Sequence, residues 1–327
     1  MTDLPAFEPD PVSPRRTLGA LPGFAATPLR TLSLPRGPTL LIKDERARMG
    51  LSAFKAVGGI HAVAVLLDEI RREDPGAAPT FVCASAGNHG HAVATGARLL
   101  GARARIHLSR STPAPFVERL RTAGAEIVMS DSRYDELLRE AEADAAATGA
   151  VLLSDTATPD HTRPPALVME GYTLIAEELQ VVFEVSGRWP THVFLQAGVG
   201  GLAAAIAHQV RANWREQPRL VIVEPEAAPC LAASARAGRP VRIEGPDSVM
   251  GRLDCKAPSV LAHAVLARCD VDYLQVGDAE AETAADHLAF AGLSTTPSGA
   301  AGFAALRAAD LPPDARPLIF LTEGPLS

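Results

Sequence analysis

The sequence lacks the features of several large classes of protein. It has no excess of basic residues, since 31 Lys and Arg stand against 38 Asp and Glu and give a formal net charge of −7. We therefore expect neither nucleic acid nor an anionic membrane surface as a partner, because both attract basic faces. No apolar run approaches the ~20 residues that cross a bilayer, and the N-terminus is polar and proline-rich without an apolar signal segment. These absences predict a cytoplasmic protein.

The sequence also lacks paired cysteines and metal-ligand clusters. Its four cysteines, at positions 83, 230, 255 and 269, show no Cys-x-x-Cys spacing, so we expect free thiols in a reducing compartment. His89 and His91 lie close together, but residues two apart on a helix point away from each other. With no third ligand evident, we predict no metal site.

What the sequence does have is a regular alternation of apolar strands and helices. Four short strands and three helices follow one another between residues 80 and 155, with Ser111 or Thr112 expected to cap one of the helices, and strand–loop–helix units recur from residue 192. Residues 1–37 are predicted to be irregular, before a strand and a helix that runs to about Glu73. The pattern predicts two open twisted α/β domains, with 1–80 and 160–327 forming a large domain and 81–159 a small mobile one. Open α/β sheets bind ligands at the carboxyl ends of their strands, so we expect a site in the crevice between the domains.

The segment "RMGLSAFKAVGG" places Lys55 on an apolar stripe of a predicted helix with Leu51 and Phe54. One interpretation is a surface lysine whose stem lies along apolar groups. The other is a partly desolvated amine that acts as a nucleophile or Schiff-base former. On the second interpretation, Gly58 and Gly59 would let a flat group approach the helix.

Two further loops connect a strand to a helix. In "QAGVGGLAAAI", the glycines from Gly198 to Gly201 offer bare backbone N–H groups at a helix N-terminus, which suits a single phosphate group. In "ASAGNHGHAV", Ser85 and Asn88 are either ordinary helix caps or donors toward a ligand. The turn at "QAGVGG" could equally be a tight turn that needs glycine. At "LTEGPLS", Thr322 and Glu323 follow an apolar strand, either as part of a site or as a polar chain end.

Taken together and in this order, these motifs resemble the pyridoxal-phosphate enzymes of the tryptophan-synthase-β, or fold type II, superfamily. The segment "IKDERARMGLSAFK" is similar to the lysine motif of the branch that contains diaminopropionate ammonia-lyases and threonine dehydratases, and "SAGNHG", "GVGG", "VEPE", "SVM" and "SGAAG" follow in the family's order. The resemblance covers nearly the whole chain. It implies a homodimer that acts on a small-molecule amino acid.

The resemblance also implies a role for each motif. Lys55 would carry pyridoxal 5′-phosphate as a Schiff base, next to Phe54, and Asn88 would hydrogen-bond the ring hydroxyl. The cofactor phosphate would lie on the loop formed by Gly198, Val199, Gly200 and Gly201. The substrate carboxylate would bind the loop formed by Ser85, Ala86, Gly87 and His89. Thr322 would lie near the pyridine nitrogen, and Asp155, in "SDTA", would move a proton at Cα or Cβ or simply cap a turn.

The reaction that the resemblance implies is α,β-elimination from a β-substituted amino acid, through an aminoacrylate, to a 2-oxo acid and ammonia. A neutral hydroxyl at the pyridine nitrogen leaves the ring a weaker electron sink, and this suits prompt loss of a β-substituent better than transamination. β-Replacement that makes a non-standard amino acid, racemisation, and a non-catalytic ligand-binding role are the alternatives.

Several positions depart from the family pattern, and two of them are candidate substrate-binding residues. Ala86 stands where the ammonia-lyases have an aspartate, so one of their two acids is missing. Arg252 stands where relatives have a small residue, and it is either solvated or a clamp for a second substrate carboxylate. We therefore expect a specialised member of the family with an altered substrate.

Overall fold

A computed structural model describes residues 6–33, 38–132, 134–312 and 314–325. The chain divides into two units, a larger one of Met1–Glu8, Ala25–Phe54 and Tyr172–Ser327 and a smaller one of Pro9–Phe24 and Lys55–Gly171. The sequence predicted domain boundaries near residues 80 and 160, which differ from the boundaries of these two units. The predicted domains stay a prediction. Among the described residues, no helix is both long and apolar enough to cross a membrane.

The larger unit is built on a six-stranded sheet in the order β1-β2-β10-β7-β8-β9. Strand β1 is antiparallel to β2, and the other neighbours are parallel. The strands are β1 (Leu29–Ser33), β2 (Thr39–Asp44), β7 (His192–Gln196), β8 (Arg219–Pro225), β9 (Val271–Val276) and β10 (Pro317–Leu321). The helices are α6 (Arg163–Ser186), which continues from the smaller unit, α7 (Gly201–Asn213), α8 (Cys230–Ala237), α9 (Val260–Leu266), α10 (Asp278–Phe290) and α11 (Pro297–Ala308).

The central strands of this sheet are nearly continuous apolar runs. Strand β10 reads "PLIFL" and is buried at every position, as expected for a parallel strand covered on both faces. Ile42, Phe303 and Ile319 belong to one core cluster with the apolar faces of α10 and α11. The end of each parallel strand is thereby held rigidly, and the loops after β7 and β10 start from fixed points.

The smaller unit has a four-stranded parallel sheet in the order β5-β4-β3-β6. Its strands are β3 (Thr80–Cys83), β4 (Arg103–Ser109), β5 (Glu126–Ser130) and β6 (Val151–Leu152), and its helices are α1 (Ser13–Gly19), α2 (Lys55–Glu73), α3 (Asn88–Leu100), α4 (Ala114–Thr122) and α5 (Tyr134–Thr148). Val82, Leu137 and Ala141 form the core between the sheet and α5. Both sheets are of the α/β class predicted from the sequence.

Two local predictions were wrong. Residues 1–37 are not irregular throughout, because α1 and β1 form within the described part of that segment; pairing with β2 stabilises β1, and a partner strand leaves no signal in local composition. Neither Ser111 nor Thr112 caps α4, whose N-cap residue is Pro113.

The segment before Lys55 is also not the helix that its periodicity suggested. Arg48–Gly50 form a short 3₁₀ turn, and Met49 and Ser52 adopt left-handed φ values of 51° and 59°, which are unfavourable for residues with a side chain. Helix α2 begins only at Lys55. Leu51 therefore does not share a helical stripe with Lys55.

Candidate active site

Lys55 is the first residue of α2, and its side chain meets a carboxylate. The Nζ atom donates to Oδ2 of Asp155 in the loop after β6. The two side chains are 24% and 19% exposed, so both are largely withdrawn from water. Both residues lie in the smaller unit, and the predicted amine and the predicted acid–base residue are therefore direct neighbours.

The charges around Asp155 keep it ionised. Burial raises its pKa, but the charge and the hydrogen bond of the Lys55 ammonium act in the opposite direction, and the pKa lies well below its usual range. His89 is itself buried, and burial lowers its pKa. The His89 Nε2 lies 2.9 Å from the carbonyl oxygen of Leu153. Since a carbonyl can only accept, Nε2 carries the proton and the neutral ring presents Nδ1 as an acceptor.

The loop "SAGNHG" follows β3 and leads into α3. Asn88 is the first residue of the helix and is almost fully buried, and its Oδ1 accepts from Arg119 at 3.3 Å. The Ser85 hydroxyl accepts from the backbone N–H of Gly87 at 3.3 Å. In the described structure, no side chain caps α3. Neither Ser85 nor Asn88 therefore acts as the side-chain cap of this helix.

Gly58 and Gly59 allow neighbouring helices to pack closely, rather than leaving space for a flat group. A Cβ on Gly59 would lie 2.7 Å from the Cβ of Ala92 on α3. A Cβ on Gly171 of α6 would lie 2.7 Å from the Cα of Gly58 and 2.4 Å from the carbonyl oxygen of Val57. Both glycines of α2 thus face neighbouring helices in the same unit.

In the larger unit, the glycine loop joins β7 to the N-terminus of α7. Gly200 adopts a φ of 98°, and in the described structure no side chain caps the helix. A Cβ on Gly198 would lie 2.9 Å from Sγ of Cys255. The carbonyl of Val199 accepts from the N–H of Ser259 at 3.0 Å, which anchors the loop. The loop therefore offers bare backbone to a ligand and has no room for a side chain at Gly198.

Thr322 lies directly after β10 and is buried. Nε2 of Gln196, the last residue of β7, lies 3.4 Å from the Thr322 Oγ1 and donates to the carbonyl of Phe320 at 2.9 Å. The carbonyl of Thr322 in turn accepts from the N–H of Phe54 at 2.9 Å, and the Phe54 ring packs against Tyr172 at 5.0 Å between centroids. The residue before Lys55 is thus attached to the segment that contains Thr322.

Arg252 has an internal partner that the sequence did not reveal. Its Nε lies 2.6 Å from Oε1 of Glu323, whose side chain is 5% exposed. The Thr296 hydroxyl donates to the same carboxylate. Arg252 is therefore an ion-paired residue rather than a freely solvated one, and its role toward a second substrate carboxylate stays a prediction.

Sequence reasoning placed Glu323 beside Thr322 at the end of the final strand but did not predict its ion pair with Arg252, and it gave Gln196 no functional role. Gln196 ends an apolar strand immediately before the glycine loop, and a polar residue buried at a strand end was the available signal. Glu323 follows the final strand in the same way. In the described part of the chain, no group of three or more His, Cys, Asp or Glu side chains could hold a metal ion.

Comparison with known proteins agrees with this geometry. The family model described as "Pyridoxal-phosphate dependent enzyme" matches residues 20–323. Diaminopropionate ammonia-lyase of Escherichia coli (strain K12) is 32% identical over 277 residues, which are 79% of this chain and 70% of that protein. The Salmonella typhimurium enzyme of the same name is 34% identical over 272 residues, or 75% of this chain and 67% of that protein.

Solved structures give the same result. The E. coli diaminopropionate ammonia-lyase in complex with an aminoacrylate-PLP azomethine reaction intermediate superposes with a TM-score of 0.85 at 29% identity, covering 98% of this chain and 92% of that one. A threonine deaminase from T.th. superposes with a TM-score of 0.83 at 26% identity, covering 96% of this chain and 97% of that one. The family model matches almost the whole chain, and the chain therefore belongs to the family of pyridoxal-phosphate dependent enzymes.

Proposed function

We propose that this enzyme eliminates the β-substituent of an amino acid and releases an aminoacrylate, which hydrolyses to a 2-oxo acid and ammonia. The observation that carries the proposal is the Lys55 amine hydrogen-bonded to the Asp155 carboxylate. The names of the relatives support it, since they include ammonia-lyases and threonine dehydratases. The solved E. coli relative holds an aminoacrylate intermediate.

The residues fit pyridoxal phosphate. Gly198 to Gly201 would hold the phosphate, because a side chain at Gly198 has no room and the uncapped N-terminus of α7 presents N–H groups to an anion. Lys55 would hold the cofactor covalently, with Asn88 at the ring hydroxyl and Thr322 at the ring nitrogen. Lys55 and Asn88 belong to the smaller unit, and the glycine loop and Thr322 belong to the larger one.

When bound, the cofactor supplies an electron sink that stabilises negative charge at the substrate Cα. Lys55 and Asp155 then do the proton chemistry. Asp155 remains a carboxylate through the neutral range because its pKa is held low. The Lys55 amine would take the Cα proton, and the hydrogen bond to Asp155 gives that proton a route to the leaving group. His89 borders Asp155, and because its ring is neutral it adds no charge next to the carboxylate.

Thr322 favours elimination over transamination. Its hydroxyl is neutral and is held near Gln196 Nε2, so it offers the ring nitrogen no carboxylate to stabilise a proton there. Negative charge at Cα is then stabilised less strongly. Loss of a good β-leaving group relieves that charge at once, whereas transamination requires it to persist.

The test compares Asp155→Asn with Asp68→Asn, an exposed carboxylate paired with Arg72 on α2. We expect Asp155→Asn to lower kcat for 2-oxo acid formation by about 10²- to 10⁴-fold with the cofactor still bound. Asp68→Asn should retain full activity. A threefold loss or less in Asp155→Asn would refute the assigned role.

A second experiment tests Lys55 and the reaction type. Borohydride reduction of the holoenzyme followed by peptide mass analysis should place the cofactor on Lys55, and Lys55→Ala should carry none. The products should be a 2-oxo acid and ammonia in equal amounts. A new β-substituted amino acid would indicate β-replacement, and an inverted epimer would indicate racemisation.

The predicted homodimer and cytoplasmic location belong to this proposal as well. They are supported only by the resemblance and by the composition. Light scattering of the purified holoenzyme tests the dimer, since a monomer mass of 34.2 kDa would contradict it. Cell fractionation tests the location.

A further inference from the structure

The smaller unit contains a cavity of about 510 Å³ that has no role in the proposed proton transfers. It lies at the carboxyl ends of β3, β4 and β5, where open α/β sheets bind ligands. Its volume falls in the range typical of small-molecule sites, about 300–1,000 Å³. Its lining includes Ser85, Ala86, His107, Ser109, Ser111 and Ser132.

This cavity borders the loop predicted to bind the substrate. A smaller cavity of about 70 Å³ is lined by Asp155 and His89, and Ala84 and Ser85 line both cavities. The Lys55 amine is bound to Asp155. The two cavities share Ala84 and Ser85, so the large cavity adjoins the space beside the proposed proton-transfer pair.

His107 gives the cavity a hydrogen-bonding group. It lies on β4, is 5% exposed and has Nε2 2.9 Å from Oδ2 of Asp144 on α5. A carboxylate only accepts, so Nε2 donates in this hydrogen bond and Nδ1 is the ring nitrogen left for another partner. Among the described residues, Nδ1 has no hydrogen-bond partner. A buried polar atom of this kind costs free energy unless a ligand or water satisfies it.

The charges in the lining balance each other. Arg110 lies 3.2 Å from Asp131, and apart from His107 the remaining polar side chains are hydroxyls. The Ser109 and Ser111 hydroxyls are 2.9 Å apart and share one hydrogen bond. A lining of hydroxyls, one unpartnered ring nitrogen and one internal ion pair suits an uncharged group that carries both N–H donors and a carbonyl acceptor.

We propose that this cavity receives the β-substituent of the substrate, and that the preferred substrate has a β-substituent ending in an uncharged amide or ureido group. Ala86 lines the cavity, and the small side chain leaves it open. The inference rests on the proposed elimination. The Cα proton leaves, the Cβ–X bond breaks with its electron pair going to X, and X departs with a proton. Water then converts the remaining aminoacrylate to pyruvate and ammonia, whatever X is.

The test uses the holoenzyme with racemic 2-amino-3-ureidopropionate, 2,3-diaminopropionate and serine, all of which would give pyruvate. We expect kcat/KM to be at least about tenfold higher for the ureido substrate, the discrimination that one well-placed neutral hydrogen bond provides. Equal or lower kcat/KM for the ureido substrate would overturn the inference and leave the elimination intact. No pyruvate from any of the three would instead refute the proposed function.

Variants separate a binding role for His107 from a structural one. His107→Leu should lower kcat/KM for the ureido substrate about tenfold while serine changes less than twofold. Ser111→Leu, at an exposed position that tolerates leucine, should also reduce the ureido reaction by filling the cavity. Thr122→Val, on α4 and outside the lining, should change neither. An equal fall for both substrates in His107→Leu and Ser111→Leu would contradict the assigned subsite.

Discussion

Arg48, seven residues before Lys55 in the lysine motif, offers the sharpest test of the energetics. Its side chain is fully buried in the larger unit. The guanidinium makes two hydrogen bonds of 2.7 Å to the Glu45 carboxylate and two of 2.7 Å to the Glu178 carboxylate. Lys43 adds a 2.6 Å contact to Glu178. Two cations, Arg48 and Lys43, and two carboxylates, Glu45 and Glu178, thus form one buried charge cluster.

Arg48→Met would leave two buried carboxylates against a single cation. Burial opposes the charged form of Arg48, yet the carboxylates of Glu45 and Glu178 hold its pKa above the usual range, so the guanidinium stays charged. Burial raises the pKa of Glu178, but Arg48 and Lys43 hold it below its usual range. Removing one partner of a buried charge cluster costs about 3–5 kcal/mol, because the remaining charge stays desolvated. We expect a loss of that size in the free energy of unfolding.

The assay is urea unfolding followed by circular dichroism. The matched control is Arg72→Met, which breaks an ion pair whose side chains are 73% and 62% exposed and should cost less than about 1 kcal/mol. The double variant Arg48→Met with Glu45→Gln restores one cation to one carboxylate and should recover part of the loss. If Arg48→Met and Arg72→Met lost equal stability, or if the double variant were weaker still, the charge-balance reasoning would be refuted.

Three other changes test the packing, the phosphate loop and the titration. Gly171→Ala would bring a Cβ within 2.4 Å of a backbone oxygen of α2 and should cost about 1–3 kcal/mol in urea unfolding, whereas Gly19→Ala, with open space around it, should not. Gly198→Ala should weaken cofactor binding about tenfold by losing phosphate hydrogen bonds, measured by fluorescence titration of the apoprotein, with Gly251→Ala unchanged as its control. Burial lowers the pKa of His91 from 6.5 to about 4, so its neutral form contributes stability that is present above pH 6.5 and lost as the pH falls toward 4. His91→Gln should therefore lose less thermal stability than the parent between pH 7 and pH 4.5.

Local patterns determined much of this protein. Apolar runs predicted the strands of both sheets other than β1, because a strand buried on both faces must be apolar along its length. Lys55, Asn88 and the glycine loop were found for a similar reason, since each motif is contiguous and its chemistry depends on neighbouring residues. The family and the cofactor follow from such contiguous motifs.

Only the tertiary structure decided which distant groups meet. Asp155 is far from Lys55 in the chain, and its contact with the amine depends on how β6 pairs with β3. The partner of Arg252 is Glu323, which lies far along the chain in the segment after β10. Helical periodicity also misplaced the start of α2, because the left-handed residues before Lys55 are held by contacts rather than by local preference. Periodicity predicts that one face of a helix or strand is buried, but the residues that cover that face are known only from the tertiary structure.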